Sequence, residues 1–244
     1  MLEFFAEYYC GRVNDIVSVL GSDKDDNDRR KFQNTLTLLH RQNLIHRIAY
    51  FDMDNALPTR TYVYGLKRSM AKKYEGKTFD EHSERTVDHE LAITQFHISL
   101  KKELPKKYLL TWYQSNIKRT INPDAYFSIT DLEDPSKATY HYFLEIERAK
   151  IGNVKDGEPS IVRKLNRYYE LYDTDAAQKD WGFRRFRVIT VVRNSDKMYN
   201  LCARTQKHRM FWMTTEQLIR ESITKEIFHT PKDYGSKTYS LLNP

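Results

Sequence analysis

Three acidic residues, placed around two short apolar segments near the middle of the chain, restrict how that region folds. Asp124 opens the apolar segment 125–130, while Glu145 and Glu147 alternate with apolar residues in the segment 140–148. Alternate side chains of a β-strand lie on the same face, so Glu145 and Glu147 are expected to project together. If the two segments pair as neighbouring strands, the three carboxylates meet at one edge of a sheet.

Clustered carboxylates of this kind suit a hard divalent cation. Oxygen ligands that leave positions open for water and substrate favour Mg²⁺ or Mn²⁺, and such a cation beside a phosphate is the usual centre of phosphodiester hydrolysis. The alternative is structural, because Asp124 can form a turn and the two glutamates can form surface ion pairs. We expect Asp124 and Glu145 to bind the cation, with Glu147 as a third ligand.

The composition limits the class of partner. The 244 residues carry a formal net charge of +7, with 40% hydrophobic and 30% charged residues, which is typical of a globular domain. The basic excess favours a polyanion as the partner, either nucleic acid or an anionic membrane surface.

The cysteine content indicates the cellular location. Two cysteines provide neither a disulfide framework nor a four-ligand zinc site, so we expect a reducing, cytoplasmic location. No signal-peptide pattern and no long apolar run is present, so no membrane segment is expected.

The first 70 residues predict a winged helix-turn-helix, with three helices followed by a β-hairpin. The third helix has an apolar stripe at i, i+4 and i+7, starting from Phe32. Arg47 and Arg60 lie on the predicted hairpin, where they would contact DNA phosphates. A role as a protein-protein module stays open, because a polar helix face is also an ordinary solvated surface. The third helix carries, opposite its apolar stripe, side chains suited to the major groove of DNA: Arg29, Arg30, Gln33, Asn34, Thr37 and Arg41.

The rest of the chain predicts a second domain. Residues 71–84 are rich in charged residues and lack a clear apolar periodicity, which is typical of a linker. Residues 85–221 predict the element order α-β-β-β-α-β, with the β-branched segment 186–192 as the central strand. Residues 222–244 are interpreted as a C-terminal tail. The predicted class is therefore α+β, with a winged helix followed by a domain built on a central mixed sheet.

The order of these elements resembles two known groups of proteins. Pro123-Asp124 at the second strand of the second domain, with Glu145-Ile-Glu147 ending the third, resembles the PD-(D/E)xK fold of restriction enzymes, resolvases and RecB-type nucleases. The whole chain resembles the replication-relaxation family of plasmid and mobile-element proteins, which joins a winged helix to a restriction-endonuclease-like domain. The second resemblance adds three further motifs: Tyr62-Val-Tyr-Gly-Leu66, His89-Glu-Leu-Ala-Ile93 and Lys164-Leu-Asn-Arg-Tyr168.

These resemblances imply further site residues. The usual nuclease signature places a lysine two residues after the second acid, where this chain has Glu147. Lys150 at the strand end and Lys164 on the following helix are the substitutes. Lys164 and Tyr168 have the spacing of the Gln-x-x-x-Tyr motif of RecB-like nucleases and share a helix face. Glu90 is a candidate fourth acid, because this fold often uses one on its first helix.

The implied function is metal-dependent nicking or relaxation of double-stranded DNA at a plasmid or mobile-element origin, during replication or conjugative mobilisation. Relaxosome or replication proteins are the implied further partners, and a homodimer stays open as the oligomeric state. The alternative is a non-catalytic accessory protein that binds the origin and recruits a relaxase or a replication initiator. A transcriptional regulator whose second domain only dimerises is a third reading. The missing Glu-x-Lys lysine favours these alternatives.

Overall fold

The chain divides into two compact units, Met1–Ile98 and Ser99–Pro244. Both units contain helices and strands, and the α+β class expected from the sequence is confirmed. No helix in the described part of the chain is both long enough and apolar enough to cross a bilayer. The computed structural model describes residues 1–21, 26–52, 59–76, 78–79, 84–114, 120–134, 139–148, 160–174 and 176–242.

Unit 1 surrounds a small antiparallel sheet with helices. Its strands pair in the order β1-β3-β2, and β2 and β3 form a long hairpin with Ile45 opposite Leu66 and Asp52 opposite Thr59. The last helix of this unit continues into the next unit. The elements are α1 (Leu2–Tyr8), β1 (Cys10–Gly11), α2 (Val13–Leu20), α3 (Asp26–Arg41), β2 (Ile45–Asp52), β3 (Thr59–Leu66), α4 (Arg68–Lys73) and α5 (Glu84–Glu103).

The core of unit 1 holds α3 and the hairpin together. Leu36, in the apolar stripe predicted for α3, is fully buried and packs in one cluster with Phe5 of α1 and Leu66 of β3. Burying one face of α3 leaves its polar face exposed, as expected of an amphipathic helix. Gly65 faces the ring of Phe79, and an added Cβ at Gly65 would lie 2.4 Å from the Phe79 side chain.

Unit 2 is built on a seven-stranded mixed sheet. The strand order is β10-β9-β8-β7-β6-β5-β4, in which β6, β7 and β8 are parallel and the other pairs are antiparallel. The helices between the parallel strands are the crossover connections that parallel pairing requires. The elements are β4 (Tyr108–Tyr113), β5 (Ala125–Asp131), β6 (Tyr140–Glu147), α6 (Ser160–Asp173), α7 (Ala176–Trp181), β7 (Arg187–Val192), α8 (Ser195–Arg204), β8 (Phe211–Thr215), α9 (Glu216–Glu221), β9 (Phe228–His229) and β10 (Thr238–Tyr239).

One face of this sheet packs against α6, α7 and α8. Phe143 of β6 and Val188 of β7 point to this face and are fully buried among Leu165 and Tyr168 of α6 and Leu201 of α8. Glu145 follows Phe143 at an interval of two, so it points to the same face. The strand pattern therefore directs a carboxylate into an apolar layer beneath α6.

Two boundaries differ from those expected from the sequence. The division between the units lies inside α5, at Ile98/Ser99, and the expected linker at 71–84 contains part of α4. The expected tail at 222–244 contributes β9 and β10 to the edge of the sheet. Strand pairing therefore holds the described part of this segment against the sheet.

Candidate functional site

Asp124 ties the beginning of β5 to the middle of β6. Its backbone N–H donates to the carbonyl oxygen of Leu144 at 3.1 Å. Its carboxylate oxygen Oδ2 accepts a hydrogen bond from the backbone N–H of Ile146 at 2.7 Å. The two bonds bracket Glu145, which lies between Leu144 and Ile146. We call Asp124 and Glu145 the carboxylate pair.

Glu145 is held by two side chains from one face of α6. The ammonium Nζ of Lys164 donates to Oε2 of Glu145 at 2.5 Å, and the phenol of Tyr168 donates to Oε1 at 2.7 Å. Residues four apart on a helix lie on one side, and here both reach the same carboxylate. The side chain of Glu145 is 3% exposed whereas that of Lys164 is 30% exposed. Lys164 is therefore in contact both with the buried acid and with solvent.

Burial dominates the electrostatics of the carboxylate pair. Burial, followed by the nearby charge of Asp124, raises the pKa of Glu145 to about 8, although Lys164 and Tyr168 act in the opposite direction. Burial and the charge of Glu145 raise the pKa of Tyr168 well above its ordinary value. Tyr168 therefore remains a hydrogen-bond donor, and the two carboxylates are close enough to influence each other.

The neighbouring strand adds a buried hydroxyl. Thr190 of β7 pairs directly with Glu145 of β6, so the two side chains share a face of the sheet. The hydroxyl oxygen of Thr190 is buried and has no hydrogen-bond partner within the described part of the chain. A buried hydroxyl beside a carboxylate pair is an oxygen that a hydrated cation can satisfy.

Glu147 lies further along the same face, at the end of β6. Its charge acts on Lys197 of α8. The net effect of the surroundings is to lower the pKa of Lys197, mainly through burial, and the charge of Glu147 opposes part of this decrease. The described residues contain no group of three or more His, Cys, Asp or Glu side chains placed to hold a metal ion. Within them the three expected carboxylates do not form one such group, and Glu147 lies close enough to Lys197 for its charge to influence that ammonium group.

Two further candidate residues from the sequence are Glu90 and Lys150. Glu90 is on the part of α5 that belongs to unit 1, where its charge helps to raise the pKa of the buried Cys10 thiol. Lys150 lies outside the described residues. Of the two lysines that could replace the missing signature lysine, Lys164 is therefore the one whose contact with Glu145 is described.

Unit 1 contains a second feature, a basic groove of about 690 Å³ between its helices and the β2–β3 hairpin. Six of the eight residues expected to contact DNA line it. Arg30 and Arg41 are exposed on α3 outside the described lining. The described lining contains four arginines and no carboxylate, and consists of Arg12, Val13, Asn14, Arg29, Gln33, Asn34, Thr37, Arg47, Arg60, Thr61, Tyr62 and Tyr64.

Tyr62 organises the hairpin side of this basic groove. The guanidinium carbon of Arg47 lies 4.6 Å from the centre of the Tyr62 ring, and that of Arg60 lies 5.7 Å from it. Both distances are within the range of cation–π attraction. The ring therefore holds two like charges, one from each strand, on one face of the hairpin despite their mutual repulsion, which favours an anionic ligand in the groove.

Comparison with known proteins supplies the family. The family model described as replication-relaxation matches residues 9–185, which is more than half of the chain. The chain belongs to the replication-relaxation family. Membership indicates a role in plasmid or mobile-element replication or mobilisation. No curated protein and no solved structure matches the chain.

The replication-relaxation match includes both features described above. The carboxylate pair, Lys164 and Tyr168 lie within residues 9–185, and so do all the residues that line the basic groove. Some of those lining residues were missed by the sequence analysis. Tyr62 could have been found from the sequence, because it lies two residues after Arg60 on the same face of the predicted strand. Arg12 could not, because it precedes α2 and is not part of any periodic pattern.

Proposed function

We propose that this member of the replication-relaxation family is a DNA-binding, metal-dependent endonuclease-like protein that nicks or relaxes plasmid or mobile-element DNA. The observation that carries the proposal is the contact of Lys164 and Tyr168 with Glu145 beside Asp124. An acid that immediately precedes β5 and an acid on β6, together with a lysine from the next helix, form the arrangement expected of a PD-(D/E)xK site whose lysine has moved to the helix.

The donor set fits Mg²⁺ or Mn²⁺. Mg²⁺ is usually bound by one or two carboxylates together with waters and substrate phosphates, so Asp124 and Glu145 are sufficient ligands from the protein. A carboxylate oxygen has more than one lone pair, so Glu145 can keep its bonds to Lys164 and Tyr168 while it binds a cation. When bound, the cation supplies a Lewis acid and an activated water for attack at phosphorus.

The side chains around the pair have separate roles in this proposal. Tyr168 fixes the orientation of the Glu145 carboxylate, and the backbone of β6 fixes Asp124. Lys164, which is partly exposed, carries a positive charge to the place where the phosphate develops negative charge. Lys150 is a second candidate for that charge, and Glu147 would assist as a more distant acid.

The basic groove is proposed to bind the double-stranded DNA of the origin. In this interpretation unit 1 is a winged helix, α3 enters the major groove and the β2–β3 hairpin is the wing. Arg47 and Arg60 would contact phosphate, and Gln33 and Asn34 would read base edges. The four arginines in the described lining support this proposal, because neutralising phosphates is the main source of affinity for DNA.

A nicking assay on supercoiled plasmid carrying the DNA that neighbours the gene tests the proposal. With Mg²⁺ or Mn²⁺ present, we expect nicking by the wild type and a loss of roughly 10²–10³-fold for Asp124→Ala, Glu145→Ala and Lys164→Ala. Glu170→Ala is the matched control, because Glu170 is an exposed acid on α6. Equal rates for the carboxylate-pair variants and the wild type would mean that this site does not cut DNA.

A non-catalytic function is the second candidate. Glu147 stands where the usual signature has lysine, and the described residues hold no group of three metal-binding side chains. Both observations favour an accessory protein that binds the origin and recruits a relaxase or a replication initiator, or a transcriptional regulator. Calorimetry separates the candidates, because an accessory protein or regulator would bind origin DNA without a Mn²⁺ site that depends on Asp124.

A further inference from the structure

A second cavity, of about 480 Å³, lies between α6 and the segment that leads into β5. Basic side chains from successive turns of α6, Arg163, Lys164 and Arg167, form one wall, and Asn122 and Thr120 form part of the other. Among the described residues that line it, there is no carboxylate. Its wall therefore presents positive charge and hydrogen-bond donors to whatever enters.

The two arginines of this cavity destabilise the helix that carries them. Arg163 and Arg167 are exposed and lie four residues apart, a spacing at which like charges on a helix repel each other. Neither forms an ion pair with a carboxylate within the described part of the chain. The opposite face of α6 is buried through Leu165 and Tyr168, so the helix cannot rotate to separate the charges from the cavity. An anion bound between the two guanidinium groups would relieve the repulsion.

Lys164 connects the cavity with the carboxylate pair. It lines the cavity, and its ammonium also donates to Glu145. The opposite wall also leads to the carboxylate pair, here through the backbone, because Asn122 lies two residues before Asp124 in the chain. A ligand that fills the cavity therefore comes next to the two acids. The hydroxyl of Thr120 donates to Asp180 of α7, which fixes that wall in place.

We infer that this cavity binds the phosphodiester backbone next to the phosphate that is cut, with Arg163 and Arg167 as its phosphate-binding residues. The inference rests on the proposed function, since it places the bound strand relative to the carboxylate pair. Arginine suits this role because its planar fork can donate two parallel hydrogen bonds to one phosphate. Arg163 and Arg167 bind and position the strand and take no part in the chemical step.

The test uses the full chain with Arg163→Ala, Arg167→Ala and the double substitution, and with Arg204→Ala as the matched control. Arg204 is an exposed arginine on α8. In the plasmid nicking assay we expect each cavity variant to raise KM about tenfold to a hundredfold, with kcat within about threefold of the wild type. In metal-free buffer, the slope of log K against log salt for a duplex of the same DNA should fall by about 0.9 for each phosphate that the variant no longer neutralises.

Separate outcomes distinguish this inference from the proposed function. If wild-type protein binds the duplex without nicking it, and the salt slope of the cavity variants is still reduced, the phosphate cavity is supported and the cleavage proposal fails. If the cavity variants match Arg204→Ala in KM and in salt slope, the inference is overturned, whatever the carboxylate variants do. Replacing both Arg163 and Arg167 with lysine keeps the positive charges but removes the planar guanidinium groups. Compared with the double alanine variant, this lysine variant should recover the salt slope more fully than it recovers KM. A single-stranded oligonucleotide of the same sequence shows whether the cavity takes one strand or a duplex.

Discussion

At the scale of single residues, Glu145 is the position where sequence and physical chemistry meet most closely. Strand alternation predicted that Glu145 would share a face with Glu147, and helix spacing predicted that Lys164 and Tyr168 would act together. The contacts of Lys164 and Tyr168 with Glu145 bring three of these residues together. Their pairing across β6 and α6 could not be derived from spacing alone, because it depends on which sheet face α6 covers.

The raised pKa of Glu145 makes the stability of the protein depend on pH. The folded protein keeps the Glu145 proton up to about pH 8, whereas the ordinary value is 4.5. Between these values the unfolded chain binds fewer protons than the folded one, so the free energy of unfolding falls as pH rises, by at most ~1.4 kcal/mol per pH unit. We expect Glu145→Gln to lack this decrease, so the stability difference between wild type and variant should change steadily from pH 4.5 to 8.

Urea unfolding with a chelator present, at a series of pH values, measures this difference. Burial lowers the pKa of His141, His208 and His229, which acts in the opposite direction on stability. Because both proteins contain these histidines, their contribution cancels in the comparison. A difference that stays constant with pH would show that Glu145 ionises normally in the folded protein.

Tyr168 should influence the cation without contacting it. Tyr168→Phe removes the hydrogen bond to Oε1 of Glu145 and keeps the ring packed against Phe143. Removing a donor to the carboxylate raises the pKa of Glu145, so at neutral pH the pair should bind Mn²⁺ about 10–100-fold more weakly. Calorimetric titration with Mn²⁺ measures the change. Tyr172→Phe, a second tyrosine on α6, serves as the control and should bind Mn²⁺ like the wild type.

At the scale of elements, the long and strongly patterned segments were predicted, whereas several of the shortest elements were not. The expected strands at 125–130 and 140–148 correspond to β5 and β6, and the helix expected after the third strand of the second domain corresponds to α6. Short elements such as α7 and β9 span six and two residues, too few to establish a period of 3.6 or 2. Their structure comes from packing and strand pairing with distant parts of the chain.

The close approach of β3 to Phe79 should make Gly65 intolerant of a side chain. A Cβ at Gly65 would lie 2.4 Å from both Cβ and Cγ of Phe79, which is far inside van der Waals contact. We expect Gly65→Ala to lower the free energy of unfolding by about 1–3 kcal/mol, measured by urea denaturation. In a Phe79→Gly background the same substitution should cost much less, because both clashing atoms, Cβ and Cγ of Phe79, are gone. Equal costs in both backgrounds would place the strain elsewhere.

At the scale of the whole molecule, the sequence predicted two domains but placed the boundary between them at a different position from the one in the structure. The charged segment 71–84 was interpreted as a linker, whereas the division lies inside α5. Val87 and Leu91 of α5 pack with Phe79 in the core of unit 1. Helical periodicity shows that α5 has an apolar stripe, but it carries no information about which core buries each part of that stripe.

The two functional regions should therefore respond independently to substitution. The residues of the basic groove all belong to unit 1, and the carboxylate pair with Lys164 and Tyr168 belongs to unit 2. We expect Arg47→Ala with Arg60→Ala to weaken binding of the origin duplex and to lower its salt slope by about 0.9 for each phosphate that is no longer neutralised. Mn²⁺ affinity should stay at the wild-type value in that variant. Asp124→Ala should show the reverse, with Mn²⁺ binding abolished and its affinity for the duplex in metal-free buffer unchanged.

Fluorescence anisotropy with the labelled duplex and calorimetry with Mn²⁺, applied to the same preparations, measure both quantities. Gln217→Ala, an exposed substitution on α9, controls for nonspecific effects and should change neither. Weaker Mn²⁺ binding in the arginine variant would contradict independence and would mean that the groove supports the acids energetically. The expected pattern requires that unit 1 selects the DNA through charge, while unit 2 provides the chemistry. Positive charge is then concentrated locally at the basic groove and at the cavity beside α6, where the described linings contain arginine and lack acid.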